Sequence, residues 1–216
     1  EARVLVTGSN GTGKELVAKS LHYLSARKSN PFVSINCGAL NENLLEPNAF
    51  SLSTVGSDMM PSIRTVLLKY FDNEGFVFFT NYESKKAKQI EQNPKVAALF
   101  TWLALERQIK IEANIEKISK ADSLKYFLSR PKGSQLGAWV SRQSETISSR
   151  ALLEQKFDEM KRKFLNKEIP IPSFWGGYIL KPIRIEFWQG GEDRLHDRFL
   201  YEIQENGNWT ISRLAP

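Results

Sequence analysis

The chain has 216 residues, 41% of them hydrophobic, enough to bury a real core and to exclude a disordered polypeptide. Its net charge of +6 and pI near 9.3 favour anionic partners, and phosphorylated small molecules fit as well as nucleic acid does. The basic residues are scattered, so nucleic-acid binding is not the expected role. Two histidines and one cysteine, Cys37, all far apart, argue against a zinc site, exclude an internal disulfide and point to a reducing cytoplasm.

No apolar run approaches the ~20 residues of a membrane helix, and the start at Glu1 lacks a basic-then-apolar leader, so neither a membrane partner nor a signal peptide is expected. Residues 1–46 then differ in texture from residues 47–216. Arg3–Thr7 is a short β-type run, Gly8–Glu15 reads GSNGTGKE, a helical stretch runs from Glu15 to about Ala26, and Phe32–Asn36 is a second apolar strand. Strand, glycine loop, helix and strand make a phosphate cradle: backbone N–H groups face the anion, the helix N-terminus adds positive potential, and Lys14 reaches in. Glu15 stands where a magnesium-holding Ser or Thr is usual. This stretch, as far as NENLLE, resembles the start of the AAA+ ATPase domain of bacterial enhancer-binding transcription activators, which also carry Glu there. The likeness stops near Glu46. No later strand ends in the Asp-Glu pair that would hold magnesium, and so few βα units cannot cover a parallel sheet. The segment therefore reads as an incomplete P-loop fragment, a short strand–P-loop–helix–strand unit. Nucleotide hydrolysis is not expected of it, and weak phosphate binding stays open.

From Pro47 short strands take over. Ala49–Val55 alternates, with Phe50 and Leu52 on one face, and Arg64–Phe71 is the next strand. Asp72–Gly75 turns into Phe76–Thr80 as a hairpin. Ser84–Asn93 is a short basic helix stopped by Pro94, and Val96–Trp102 an apolar strand. Gln108–Lys117 alternates cleanly, Ile109, Ile111, Ala113 and Ile115 against Gln108, Lys110, Glu112, Asn114 and Glu116. Helices follow: one capped by Ser119 and running to about Ser129, one over Ser134–Val140, and one from Ser149 to Phe164. After the proline-rich loop at Ile169, strands resume at Tyr178–Trp188 and Arg198–Gln204. Asn206-Gly207 then turns into Trp209–Leu214. Many antiparallel strands with a few covering helices predict an α+β, closed or partly closed barrel.

Within Ile185–Tyr201, Arg194, His196 and Arg198 recur every second residue. On a strand they share one face, which suits an anionic or proton-exchanging ligand or is simply an exposed polar surface. In RTVLLK, Arg64 and Lys69 are five apart, on opposite faces of a regular strand unless a bulge intervenes. TNYESKK brings hydroxyl, amide and Lys85-Lys86 to a helix start. Both segments suit phosphate, though such lysines are more often only solvated. Tyr126 reads equally as core beside Leu124, Phe127 and Leu128, while Trp139, Trp175 and Trp188 read as packing and Ser134 and Ser144 as caps. His196 beside Asp197 is no hydrolase pair, because adjacent strand residues point apart and no GxSxG elbow exists.

RTVLLK, FFTNYESKKAKQIEQNP, LERQIKIEA, YFLSRPKGSQLGAWVSRQS, FWGGY and WQGGEDRLHDRFLY, ending in ISRLAP, occur in that order over residues 47–216. Together they resemble the pyridoxamine 5′-phosphate oxidase family. The resemblance implies an FMN-binding split β-barrel with covering helices and a homodimer that binds FMN across its two-fold interface. It implies that FMN is lined by Arg64, Thr65, Val66, Leu67, Leu68, Phe79, Thr80, Lys85, Lys86, Gln108, Gln143, Ser144, Trp188 and Arg198. Lys69, Tyr126, Arg130 and Ser134 would hold the substrate phosphate, with Arg194 and His196 flanking its ring as the catalytic pair. Two departures stand out: Phe79 replaces a frequent Tyr, and Lys85 a frequent Arg, which gives up a bidentate grip.

The implied reaction oxidises pyridoxine 5′-phosphate or pyridoxamine 5′-phosphate to pyridoxal 5′-phosphate. Oxygen is the acceptor, peroxide is formed, and the amine also yields ammonia. Relatives carry an N-terminal arm that helps close the substrate pocket, and here the P-loop-like fragment takes its place. Flavin binding and dimerisation should survive, while substrate affinity or turnover should fall. Two other readings stay open, a flavin-binding split barrel of different activity and an ATP-binding fragment of a transcription regulator.

Overall fold

The computed structural model describes residues 14–26, 28, 47–141, 143–165 and 167–216. The chain divides into two compact units, Glu1–Leu44 and Leu45–Pro216. In the first, α1 (Lys14–Leu24) forms where a helix from Glu15 was expected, and ends where Ser25 turns back to His22, its Oγ donating to the His22 carbonyl at 2.8 Å. The expected strands Arg3–Thr7 and Phe32–Asn36, the glycine loop and Cys37 lie outside the described residues.

The second unit is built on one antiparallel sheet. Its strands are β1 (Ala49–Val55), β2 (Pro61–Leu67), β3 (Tyr70–Phe71), β4 (Phe76–Asn81), β5 (Lys95–Trp102), β6 (Arg107–Lys117), β7 (Trp175–Gln189), β8 (Asp197–Ile203) and β9 (Trp209–Arg213). The order is β2-β1-β5-β6-β7-β4-β3, with β8 on β7 and β9 on β8. Strand β7 splits the sheet. Its first half, Trp175–Leu180, pairs β4; its second half, Arg184–Gln189, pairs β8; β6 runs along the whole length with a register shift at Glu112/Ala113. One extra residue there bends and twists the strand, so the two branches diverge into a curled half-barrel.

The alternation read in the sequence sets the faces. Phe50, Leu52, Phe78, Ala98, Phe100, Ile111, Tyr178 and Leu180 fill the barrel. Each large apolar side chain buried there contributes about 1.5–3 kcal/mol. Strand β6 buries Ile111, Ala113 and Ile115 and leaves its charged side wet, as expected.

Four helices cover the unit: α2 (Lys85–Gln92), α3 (Lys120–Ser129), α4 (Lys132–Val140) and α5 (Arg150–Lys163). Ser84, Ser119 and Ser149 cap α2, α3 and α5, each side chain accepting a backbone N–H of the first turn. Phe127, Leu136, Ile169 and Trp175 make a second core beneath these helices. Among the described residues no helix is long and apolar enough to cross a membrane.

Two strand expectations need correcting. The predicted strand Arg64–Phe71 breaks after Leu67, because the Leu68 N–H bonds Asn48 and the Lys69 N–H bonds Val77. Arg194, His196 and Arg198 do not alternate on one strand either. Glu192–Arg194 is a 3₁₀ turn, with Asp193 and Arg194 at φ 53° and 61°. Only Arg198 of the three lies in a strand, β8.

Candidate functional site

At one end of the barrel, β2, β4 and the start of α2 bring two cations together. Thr80 in β4 donates to Gln143 Oε1 at 2.9 Å, and Lys86 Nζ donates to both, at 3.0 Å to Thr80 and 2.9 Å to Gln143. The Arg64 Nη1 donates to the Leu52 carbonyl at 3.0 Å and to Thr54 Oγ1 at 2.6 Å. Lys86 is only 6% exposed. Burial first, and then the Arg64 charge, pull its pKa down to about 8, while burial lowers that of Arg64.

Neither cation pairs with a carboxylate among the described residues. Ser84 caps the helix that carries Lys86, so the positive end of that helix lies in the same place. Lys85 is exposed, and its backbone N–H donates to Ser144 Oγ at 3.3 Å, with Ser144 in the left-handed region at φ 75°. Val66 and Leu68 pack against the barrel core, whereas Thr65 pairs with outward-facing Ser51 and Leu67 with Ala49.

A second group is an aromatic shelf. Phe79 stacks on Tyr126 at 3.9 Å between ring centroids and on Trp175 at 5.2 Å. The Arg130 guanidinium lies 4.8 Å above the Trp175 ring, and its Nη1 is buried without a hydrogen-bond partner. Burial lowers the Arg130 pKa and raises that of Tyr126. An orphaned buried cationic nitrogen is costly and marks a place for an anionic ligand. Lys69 and Ser134 are exposed, at the β2–β3 break and in the first turn of α4.

The third group is on the other face of the sheet. Gln108, Trp188 and Arg198 sit opposite one another across β6, β7 and β8, in the row next to core-facing Ile109 and Phe187. They line a cleft of about 490 Å³ with Ser51, Ala97 and Pro216. The Arg198 guanidinium bonds Glu186 at 2.7 Å and the Ala215 carbonyl at 2.9 Å. The His196 ring lies 4.7 Å from that of Trp188, and its Nδ1 accepts the Gly191 N–H at 3.2 Å. Arg194 is exposed on its turn.

One copy of the chain therefore does not assemble all the expected residues. Arg64, Thr80, Lys86 and Gln143 form one cluster, Phe79, Tyr126 and Arg130 a second, and Gln108, Trp188, His196 and Arg198 a third. Since Arg64 pairs with core-facing Leu52, the first and third lie on opposite faces. Sequence reasoning missed Thr54, Gln89 and Glu186, polar groups buried against these clusters. Thr54 was findable, because it continues the buried period of Phe50 and Leu52.

A curled antiparallel barrel with a cation pair at a helix N-terminus and an aromatic shelf beside it is the architecture of the FMN-binding split-barrel proteins. A profile for pyridoxamine 5′-phosphate oxidase matches residues 38–164, and one for the C-terminal dimerisation region of pyridoxine 5′-phosphate oxidase matches residues 175–216. The chain belongs to the pyridoxamine 5′-phosphate oxidase family. It is 75% identical over 178 residues to the pyridoxine/pyridoxamine 5′-phosphate oxidase of Aliarcobacter butzleri, an alignment covering 82% of this chain and 84% of that one. The Rippkaea orientalis enzyme of the same name is 64% identical over the same shares.

Among solved structures, PhzG from Burkholderia lata, in complex with tetrahydrophenazine-1-carboxylic acid, superposes with a TM-score of 0.77 at 27% identity, covering 89% of this chain and 98% of that one. An FMN-binding relative from Nostoc punctiforme gives a TM-score of 0.66 at 16% identity, covering 96% and 99%, and shares the fold. A profile for the sigma-54 interaction domain matches residues 1–57, in line with the resemblance seen in the P-loop-like segment. FMN is the family's cofactor. The residues present fit its phosphate, since buried Lys86 and half-buried Arg64, neither paired with a carboxylate among the described residues, together with a helix N-terminus and the Thr80–Gln143 pair, are what a dianion needs.

Proposed function

We propose that residues 47–216 form an FMN-dependent oxidase that converts pyridoxine 5′-phosphate or pyridoxamine 5′-phosphate to pyridoxal 5′-phosphate. Oxygen is the acceptor, hydrogen peroxide is released, and the amine substrate also gives ammonia. The observation that carries this reading is the pair of half-buried Arg64 and buried Lys86, mutually repelling and without a carboxylate partner among the described residues, within a family whose curated members bear that activity in their names. Residues 1–46 are proposed as a separate, incomplete P-loop unit.

Bound FMN supplies the two-electron chemistry at C4′ of the substrate. Arg64 and Lys86, with Thr80 and Gln143, neutralise and orient the flavin phosphate; Lys85, Ser144 and the strand Thr65–Leu68 flank it. Arg130, over the Trp175 ring, takes the substrate phosphate with Tyr126, Lys69 and Ser134, and Phe79 forms the floor between the two sites. Fixing both phosphates sets the reacting carbon against the flavin, which removes much of the entropic barrier. Arg194 and His196 hold the substrate ring. Gln108, Trp188 and Arg198 face away from Lys86 within one chain, which supports a homodimer in which each flavin is held by both copies. A cytoplasmic location belongs to the same reading and rests on the single cysteine.

The test is formation of pyridoxal 5′-phosphate and peroxide by the purified protein supplied with FMN and either substrate. Protein that turns yellow yet oxidises neither substrate would replace this reading with a flavin-binding barrel of another activity.

A further inference from the structure

Resting on the proposed FMN site, we infer that Thr54 and Gln89 are positioning residues that hold the Arg64 guanidinium in phosphate-gripping orientation and lock it to the helix that carries Lys86. Half-buried Arg64 and buried Lys86 repel each other, yet both stand close enough for the charge of one to act on the other. Something must hold them there. Among the described residues Arg64 is held through Nη1 alone, to the Leu52 carbonyl and Thr54 Oγ1, which leaves its other N–H groups for a ligand.

Thr54 in turn donates to Gln89 Oε1 at 2.7 Å, across thirty-five positions of sequence. Thr54 and Gln89 are 1% and 5% exposed. Gln89 is on α2, one turn beyond Lys86 on the buried side of the helix. The dock continues past the strand end. The Ser57 N–H donates to Gln92 Oε1 at 2.9 Å, and a Cβ at Gly56 would come within 3.1 Å of Gln89 Cγ. The end of β1 is thus joined to α2 by a buried hydroxyl–amide bond, and the two cations inherit their spacing from it. A hydroxyl on this core-facing strand position must both accept and donate, and valine can do neither.

Riboflavin, which lacks the phosphate, separates positioning from folding. Apoprotein is titrated with FMN and with riboflavin, followed by flavin fluorescence, for the wild type, Thr54→Val, Thr54→Ser and Gln89→Met. The expected result is an FMN affinity about tenfold weaker in Thr54→Val, one hydrogen bond to a charged group, and about fivefold weaker in Gln89→Met, one neutral hydrogen bond, with riboflavin affinity unchanged and Thr54→Ser close to wild type. Equal losses for both flavins, or no loss for either, would overturn the inference. A wild type that binds riboflavin as tightly as FMN would instead overturn the phosphate assignment at Arg64, and the inference with it.

Discussion

Replacing Lys86 by Met should cost the empty protein little at neutral pH and make its flavin site worse. Burial and the Arg64 charge move the Lys86 pKa from 10.5 to about 8, a penalty of about 3 kcal/mol on the charged form. Methionine keeps the apolar stem and removes the charge, giving up the charge-assisted bonds to Thr80 and Gln143 at about 1.5 kcal/mol each. The two roughly cancel for the apoprotein at neutral pH.

The pH dependence carries the mechanism. The unfolded chain holds this proton up to about pH 10.5 and the folded one only to about 8. The wild-type penalty is therefore complete below pH 8 and fades between 8 and 10.5, so Lys86→Met loses ground to the wild type across that window. FMN binding has the opposite sense, since a phosphate dianion restores the proton on Lys86. Wild-type affinity should fall as pH rises above about 8, and Lys86→Met should bind weakly without that dependence. Thermal melts of apo and FMN-loaded protein over this range measure both effects. A Lys86→Met apoprotein that is less stable than wild type by the same amount at every pH would refute the reasoning.

Other consequences are as definite. Arg130→Met removes an unpaired buried nitrogen, so melting temperature should hold or rise while KM for pyridoxine 5′-phosphate climbs at least about tenfold; lowered stability with an unchanged KM would contradict the substrate-phosphate role. Lys86→Ala and Arg198→Ala, each nearly inactive alone, should recover about half of wild-type activity in purified mixed dimers, and about a quarter in the unfractionated co-expressed protein, because one of the two composite sites in each mixed dimer is then intact. No recovery on mixing would place both residues outside a shared site. The family resemblance implies a pocket-closing arm ahead of β1, and on the proposal that the P-loop-like fragment takes its place KM should be raised or turnover lowered. Steady-state values equal to those of the Aliarcobacter butzleri enzyme, measured side by side, would dismiss that expectation.

Helix starts and strand faces were readable wherever local chemistry decides them. Ser84, Ser119 and Ser149 all cap as their positions imply, and β6 buries its isoleucines. Gln108 was correctly placed on the wet face. The stretch around His196 was misread because a period of two in polar residues carries no burial information. Gly190-Gly191 was the better signal there, since a Cβ at Gly191 would meet the Leu195 carbonyl at 2.3 Å, a closeness only a turn brings about. The face of Arg64 was unreadable because RTVLLK is apolar on both sides, and only pairing with Leu52 settles it. The Arg130 orphan and the Phe79–Tyr126–Trp175 stack depend on segments about fifty residues apart, beyond any local pattern.

The most direct measurement is the visible spectrum of the purified, FMN-supplied protein before and after pyridoxine 5′-phosphate is added without oxygen. The account predicts a yellow protein whose flavin absorbance bleaches with substrate and returns when air is admitted. Folded protein that stays colourless beside FMN, or yellow protein that keeps its colour under saturating substrate, would contradict it.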